Sequence, residues 1–220
     1  MKRFIFGLSI AAAMAFSASF AEAATVTRVA NTPAAWLLVD LDDTLTLGTG
    51  GAWSPAPSTR AGNIGGVTRS PFDDSGTPTV FARADWATIP YWAVGPSNPS
   101  NPAIMTFAKN QTAFSFLWGS IDGYNTLTFL LDDVEALVVT AASFLGEQSG
   151  GVGASFISVT DILFNQIQFF SSPSNAFEFA NIQTTPVPIP PALLLFGSGL
   201  AGLVFLARRR RQSTGPALAA

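Results

Sequence analysis

Short alternations of apolar and polar residues dominate the chain from residue 25 to residue 183. These runs are separated by clusters of Gly, Pro, Ser, Asn and Asp, and no 3.6-residue helical period is sustained. The pattern predicts an all-β fold, a single two-sheet β-sandwich, because half-buried strands must pack their apolar faces together. The predicted strands are 36–41, 91–94, 104–107, 113–118, 126–131, 136–140, 155–160, 167–170 and 176–182.

Aromatic residues mark the inner faces of two predicted strands. Phe114, Phe116 and Trp118 alternate along one of them, and Phe177 and Phe179 along another. Since successive side chains point to opposite faces of a sheet, each set is expected to enter a common core. The Gly-, Pro- and Ser-rich segments 49–78 and 95–102 are expected to form surface loops.

The first 23 residues have the three parts of a secretion signal. Lys2 and Arg3 precede an apolar stretch, residues 4–20, and Ala21 and Ala23 flank Glu22 in a small-x-small cleavage site. We therefore predict export through the Sec translocon and removal of residues 1–23 by signal peptidase. The mature chain then starts at Ala24.

A second apolar run, residues 192–207, lies near the other end of the chain. Sixteen residues make a helix of about 24 Å, so spanning a hydrocarbon core of roughly 30 Å requires the preceding prolines as well. We predict a membrane helix over about 190–207, held by a cluster of arginines that stays cytoplasmic, with residues 212–220 as a short cytoplasmic extension. The cluster is Arg208, Arg209, Arg210 and Arg211.

The C-terminal segment, residues 186–211, resembles the PEP-CTERM sorting tails, in their Val-Pro-x-Pro variant. The resemblance rests on the order of a proline motif, an apolar helix with Gly197, Ser198 and Gly199, and basic residues. It implies recognition and cleavage by an exosortase near the proline motif, in a Gram-negative bacterium that makes exopolysaccharide. The motif is Val187, Pro188, Ile189, Pro190 and Pro191.

The composition of the ectodomain, residues 24–185, limits the partners and the kinds of active site that it can have. This segment has 5 basic and 13 acidic residues, which argues against a nucleic-acid partner. The whole chain contains neither Cys nor His, so disulfides, thiol nucleophiles, imidazole bases and the usual zinc ligand sets are excluded. No catalytic residue is assigned, and the protein is expected not to be an enzyme.

Carboxylates are the remaining candidates for chemistry. Asp40 and Asp42 lie in an Asp-x-Asp-x-Thr sequence of the kind that dehalogenase-type phosphatases use, but the β pattern that follows does not suit their parallel sheet. Asp73-Asp74, Asp132-Asp133 and Glu135 could supply oxygen ligands to a structural calcium, and solvated turn carboxylates are the simpler interpretation. No cofactor or metal site is predicted.

A second resemblance covers the ectodomain itself. It rests on three stretches: the sequence from Trp118 through Gly119 and Asp122 to Asn125, an Arg-Ser-Pro-Phe run from Arg69 and a Phe-x-Phe-x-Asn-Ile run from Phe177. Together they are similar to exosortase-dependent surface proteins with a Trp-Gly-Ser-x-Asp-x-Tyr-Asn core. The closing run also resembles jelly-roll carbohydrate-binding modules, in which an Asp precedes the Asn. This resemblance implies that the predicted sandwich is jelly-roll-like. Ala180 stands at that place here.

The turn from Gly119 to Asn125 has two interpretations. Asp122-Gly123 is a favourable turn pair, so the segment is first of all a structural connection. The alternative is a sugar-contact site, since an aromatic face packs against the apolar face of a pyranose. Its residues would be Trp118, Asp122, Tyr124 and Asn125.

The sequence as a whole predicts an exported protein that is anchored transiently in the inner membrane and then delivered to the cell surface or the biofilm matrix. A structural or matrix role in the exopolysaccharide is expected. A lectin-like carbohydrate-binding module is the alternative, followed by a glycan-acting enzyme that uses Asp and Glu alone.

Overall fold

The computed structural model describes residues 23–29, 43–73, 84–97, 100–145, 154–173 and 177–187. These residues form a mostly antiparallel β-structure with one short helix, so the predicted all-β class is confirmed. The elements are β1 Thr25–Val29, β2 Gly51–Trp53, β3 Ser58–Ala61, β4 Pro90–Val94, β5 Ala103–Trp118, β6 Asn125–Leu131, β7 Val134–Thr140, α1 Ala142–Leu145, β8 Ser155–Thr160, β9 Phe164–Ser171 and β10 Phe177–Pro186.

The strand pairings divide into two sheets that share β5. Around the second half of β5 the order is β3-β4-β10-β5-β8-β1, which we call the first sheet. Around the first half of β5 the order is β2-β5-β9-β6-β7, which we call the second sheet. A strand that belongs to both sheets lets them fold over each other in a sandwich-like arrangement.

β5 replaces the two separate strands predicted over 104–107 and 113–118. Its 16 residues run without a break through a polar stretch around Lys109, which is exposed where the strand passes between the sheets. The register of both neighbouring strands shifts near this point, at Gln111. The polar residues between the two predicted strands therefore mark the crossing between the sheets.

Aromatic side chains from both sheets fill the space between them. Phe169 of the second sheet stacks on Phe179 of the first, with ring centroids 4.4 Å apart and planes 18° apart. Trp53 of β2 meets Trp92 of β4 edge to face at 5.5 Å. Burying one such side chain contributes about 1.5–3 kcal/mol, so this cluster supplies the core of a protein that has no disulfide.

A second, smaller core lies on the outer face of the first sheet. Phe72 and Tyr91 are fully buried there, together with Leu117 of β5 and Phe156 of β8. Phe72 belongs to the segment 62–73, which we call the covering loop. The middle of the first sheet is therefore buried on both faces, over residues 91–94 of β4, 155–157 of β8 and 177–182 of β10.

The strand predicted at 36–41 lies outside the described residues, as do the predicted processing segments apart from Ala23, Pro186 and Val187. Among the residues that the structure does describe, no helix is long and apolar enough to cross a membrane.

Candidate functional site

Three separate stretches of the sequence meet at Glu178, near the start of β10. The Arg69 N–H donates a hydrogen bond to Glu178 Oε1 at 2.9 Å. The Gly119 N–H donates to the Glu178 carbonyl oxygen at 2.7 Å. Glu178 thus ties the covering loop and the end of β5 to one point.

Gly119 lies too close to its neighbours to carry a side chain. A Cβ atom at this position would lie 2.8 Å from both Cβ and the carbonyl oxygen of Glu178, and 3.2 Å from Cγ of Pro71. Contacts below 3.0 Å with backbone atoms require the backbone to move. The Gly after Trp118 therefore permits the close approach of β5, β10 and the covering loop.

We predict that Gly119→Ala destabilises the fold by about 1–3 kcal/mol, because overpacking displaces β10 or the covering loop. Gly65→Ala is the matched control, since a Cβ there meets nothing within 4 Å and its φ is not in the left-handed region. The control is expected to be neutral or slightly stabilising. Urea unfolding of both variants measures the difference, and equal stabilities would contradict the close-packing argument.

Glu178 is an acid held away from water. Its side chain is fully buried, and within the described residues Oε2 has no hydrogen-bond partner. The pKa of Glu178 is raised to about 8, mainly by burial; the negative charge of Asp122 also raises it, and the backbone N–H of Arg69 lowers it. The carboxyl group is therefore largely protonated at neutral pH.

Asp122 and Tyr124 form the rim of this site. The Tyr124 hydroxyl donates to Asp122 Oδ2 at 2.9 Å, and both side chains are half-buried. Burial raises the pKa of Asp122, and the hydrogen bond from Tyr124 lowers it. The Asn125 N–H also donates to the Asp122 carbonyl at 3.2 Å, which confirms a turn at this segment.

The covering loop is fixed by a buried carboxylate at its end. Asp73 Oδ2 accepts a hydrogen bond from Asn63 Nδ2 at 2.7 Å and lies 3.4 Å from Nε of Arg69. Asn63 Oδ1 in turn accepts from the Ser70 N–H at 2.8 Å. Since the Asp73 side chain is almost wholly buried, this network fixes the position from which Arg69 reaches Glu178.

Tyr91 closes the inner side of the site. Its hydroxyl donates to the Gly62 carbonyl at 2.7 Å and lies 2.9 Å from the Thr68 hydroxyl. The pKa of Tyr91 is raised to about 12, mainly by burial; the hydrogen bond with Thr68 lowers it and the charge of Glu178 raises it. A pocket of about 20 Å³ beside Thr68 has room for about one water molecule and none for a sugar ring.

The structure separates the four residues proposed for sugar contact. Trp118 is fully buried and stacks on Phe177 at 4.7 Å, so protein atoms already occupy its ring face. Asn125 is also fully buried and accepts a hydrogen bond from the Ser171 hydroxyl at 2.8 Å. Asp122 and Tyr124 alone of the four keep part of their surface in solvent.

The acidic pairs considered for calcium have different surroundings. Asp132 and Asp133 occupy a two-residue turn between β6 and β7 with φ of 50° and 66°, and both are exposed, as is Glu135. For Asp73 the prediction of a solvated turn carboxylate was wrong, because Asn63 and Arg69 bury it. Within the described part of the chain, no three acidic side chains converge as they would around a metal ion.

The phosphatase-like motif lies partly outside the described residues, which include Thr44 but neither Asp40 nor Asp42. The Thr44 hydroxyl donates to the Pro90 carbonyl at 2.7 Å, and its own carbonyl accepts from the Asn181 N–H at 2.8 Å. Thr44 therefore bridges the segment before β2 to β4 and β10.

Glu178 itself was missed at the sequence level. The sequence pattern around it contains a signal, because residues 177–182 are apolar at both alternating sets of positions except at Glu178 and Asn181. A strand of this kind is buried on both faces, so its acid must also be buried. The partner could not be identified in advance, since Arg69 is 109 residues away.

Of the predicted processing residues, Ala23, Ala24 and Val187 are described, and the remaining signal-cleavage and sorting residues are not. Comparison with known proteins found no family model, no curated protein and no solved structure that matches this chain.

Proposed function

We propose that this protein is exported, sorted by an exosortase and delivered as a structural component of the cell surface or exopolysaccharide matrix. The observation that carries the proposal is the order of the C-terminal segment: the proline motif from Val187 to Pro191, the apolar run 192–207 and the arginine cluster. A secretion signal at the other end gives the same orientation across the membrane.

The end of the described fold supports this proposal. β10 ends at Pro186, and the Val187 N–H donates its hydrogen bond to the Asn110 carbonyl at 2.9 Å. The side chain of Val187 is already partly exposed. Cleavage within 188–191 therefore leaves every residue of β10 in the sheet, so the domain keeps its fold after release.

We infer further that the ectodomain is a jelly-roll-like sandwich between a cleaved signal helix and a transient membrane helix. The connections from β5 to β6, from β7 to β8, from β8 to β9 and from β9 to β10 all cross between the two sheets. Crossing connections of this kind are typical of jelly rolls.

We assign no catalytic role to the acids at the candidate site. A glycan-acting enzyme needs two carboxyl groups that flank a bound sugar, and Glu178 is fully buried beneath the covering loop. The hydrogen bonds of Glu178 run to backbone groups of Arg69 and Gly119, which suits a role in holding the domain together.

The test of the sorting proposal is the intact mass of the protein from its native host, compared with a host that lacks the exosortase. We expect a chain that starts at Ala24 and ends within 186–191 only when the exosortase is present. A Pro188→Ala, Pro190→Ala double variant should keep its tail. A mass that extends to Ala220 in both hosts would reject exosortase processing and leave a protein anchored by its C-terminal helix.

A further inference from the structure

The outer faces of the two sheets differ in how far they are buried. The covering loop buries the outer face of the first sheet under Phe72. On the second sheet, the outward side chains of β2, β5, β9, β6 and β7 are half-buried or exposed, apart from Leu130, which is just within the buried class. The second sheet thus presents the open face of the described domain.

Strand pairing arranges these outward side chains in rows across the sheet. One row runs from Val138 through Thr128 and Gln168 to Ile104, and a neighbouring row places Phe170 beside Thr126 and Thr140. We call the set the neutral face. Its residues are Ala52, Ile104, Thr106, Thr126, Thr128, Leu130, Val138, Thr140, Gln166, Gln168 and Phe170.

The neutral face combines hydrogen-bonding groups with apolar surface. Gln168 Nε2 donates to Gln166 Oε1 at 3.4 Å, which aligns two side-chain amides along β9. The hydroxyls of Thr126 and Thr128 lie on the adjacent strand. Phe170 is 39% exposed, so one ring is accessible at the side of this polar patch.

None of the eleven residues of the neutral face is charged, although the domain around it is acidic. One charged side chain borders these rows: Glu135 pairs with Leu130 on the edge strand β7, at the end of the row that runs through Gln166 to Thr106. Asp132 and Asp133 occupy the adjoining turn between β6 and β7. An anionic polymer would be repelled by the surrounding charge, and a nucleic acid most strongly of all. A neutral polymer is not repelled by this charge and can form hydrogen bonds with the Thr hydroxyls and the Gln amides.

Polysaccharides have the chemistry that this face can recognise. A sugar ring offers hydroxyl groups at its rim for Thr and Gln, and an apolar face that can stack on Phe170. Five strands spaced about 4.8 Å apart make the face roughly 19 Å wide, enough for several units of an extended chain. A protein partner would be expected to need a more continuous apolar centre than Thr and Gln provide.

We propose that the neutral face binds an uncharged polysaccharide and so attaches the protein to the matrix. The inference rests on the proposed function, because it names the matrix component that the sorted protein contacts. Its test is separate from the sorting test, since binding is measured on the protein purified from its host whether or not the tail has been removed.

The experiment measures retention of the protein by dextran, amylose, cellulose and galactomannan, with polygalacturonate as the acidic comparison. We expect retention by at least one neutral polymer and not by polygalacturonate. Phe170→Ala and Gln168→Ala should each weaken that retention about tenfold, the effect of losing one stacked ring or one well-placed amide. Circular dichroism checks that both variants stay folded.

Ile64→Ala is the matched control, because Ile64 is 38% exposed but lies in the covering loop on the other sheet. It should bind as the wild type does. Retention by no neutral polymer, retention by polygalacturonate alone, or equal retention by wild type, Phe170→Ala and Gln168→Ala would each overturn the proposal. The intact mass, recorded on the same preparation, reports independently on sorting.

Discussion

Replacing Glu178 by Gln is expected to remove a large part of the pH dependence of stability. Wild type should lose stability as the pH rises from about 4.5 to about 8, and the Glu178→Gln variant should lose much less over this range. Gln has nearly the same shape and keeps an oxygen that can accept from the Arg69 N–H. It carries no charge that must be buried.

The sign of this pH dependence follows from whether the folded or the unfolded state binds the proton more tightly. The pKa of Glu178 rises from 4.5 in the unfolded chain to about 8 in the fold, so within this window the folded state keeps a proton that the unfolded state has released. The free energy of unfolding then falls by up to about 1.4 kcal/mol per pH unit. Above pH 8 the fold carries the full cost of a buried charge, which sums to about 5 kcal/mol as an upper limit.

Urea unfolding of both proteins from pH 5 to pH 9 measures the effect. The difference between variant and wild type should be smallest at pH 5 and should grow with pH in favour of the variant. Subtracting the two curves removes the pH dependence that the other acids contribute to both proteins. Asp122 differs between the two proteins, because the variant lacks the neighbouring charge of Glu178. Glu135→Gln is the control, because Glu135 is exposed, and its curve should follow the wild type. Parallel curves for Glu178→Gln would show that Glu178 is not a buried neutral acid.

Strands with a regular apolar alternation were predictable from the sequence. The strand at 155–160 was predicted with the bounds of β8, and those at 91–94 and 126–131 came within one residue of β4 and β6. Each contains enough apolar residues to form a buried face on its own. The signal for such strands is local, so it can be read without knowing their partners.

β1, β2 and β3 were not predicted, because their structure depends on distant partners. β2 has three residues and β3 has four, and both lie in the Gly- and Pro-rich segment that was expected to be loops. They pair with β5 and β4, respectively. Tertiary pairing thus overrides weak local preference, as is common for edge strands.

The candidate site was predictable only in its separate parts. The sequence drew attention to the stretches around Arg69, Trp118 and Phe177, but it could not show that they meet at Glu178. The turn interpretation of Asp122-Gly123 agrees with the hydrogen bond from Asn125 to Asp122. The sequence could not show that this turn connects strands that are not neighbours, since β9 lies between β5 and β6.

Trp118→Ala is expected to destabilise the fold by about 3–5 kcal/mol, a large part of the 5–15 kcal/mol typical of a domain. Trp118 stacks on Phe177, meets Phe144 edge to face at 5.4 Å and lies 5.6 Å from Phe116, so its removal leaves a cavity between aromatic rings. Trp118→Phe should cost less. It retains a ring in the stack and removes an indole N–H that has no hydrogen-bond partner among the described residues.

Phe170→Ala provides the comparison, because it removes an aromatic ring from the open face of the same domain. Its cost should be below about 1 kcal/mol, since a partly exposed side chain makes few contacts that unfolding would lose. Thermal unfolding of the three variants thus separates an aromatic residue that holds the core from one that is available to a ligand. A Trp118→Ala protein with wild-type stability and impaired retention by neutral polysaccharide would reverse these roles and place sugar contact at the Trp-Gly-Ser motif.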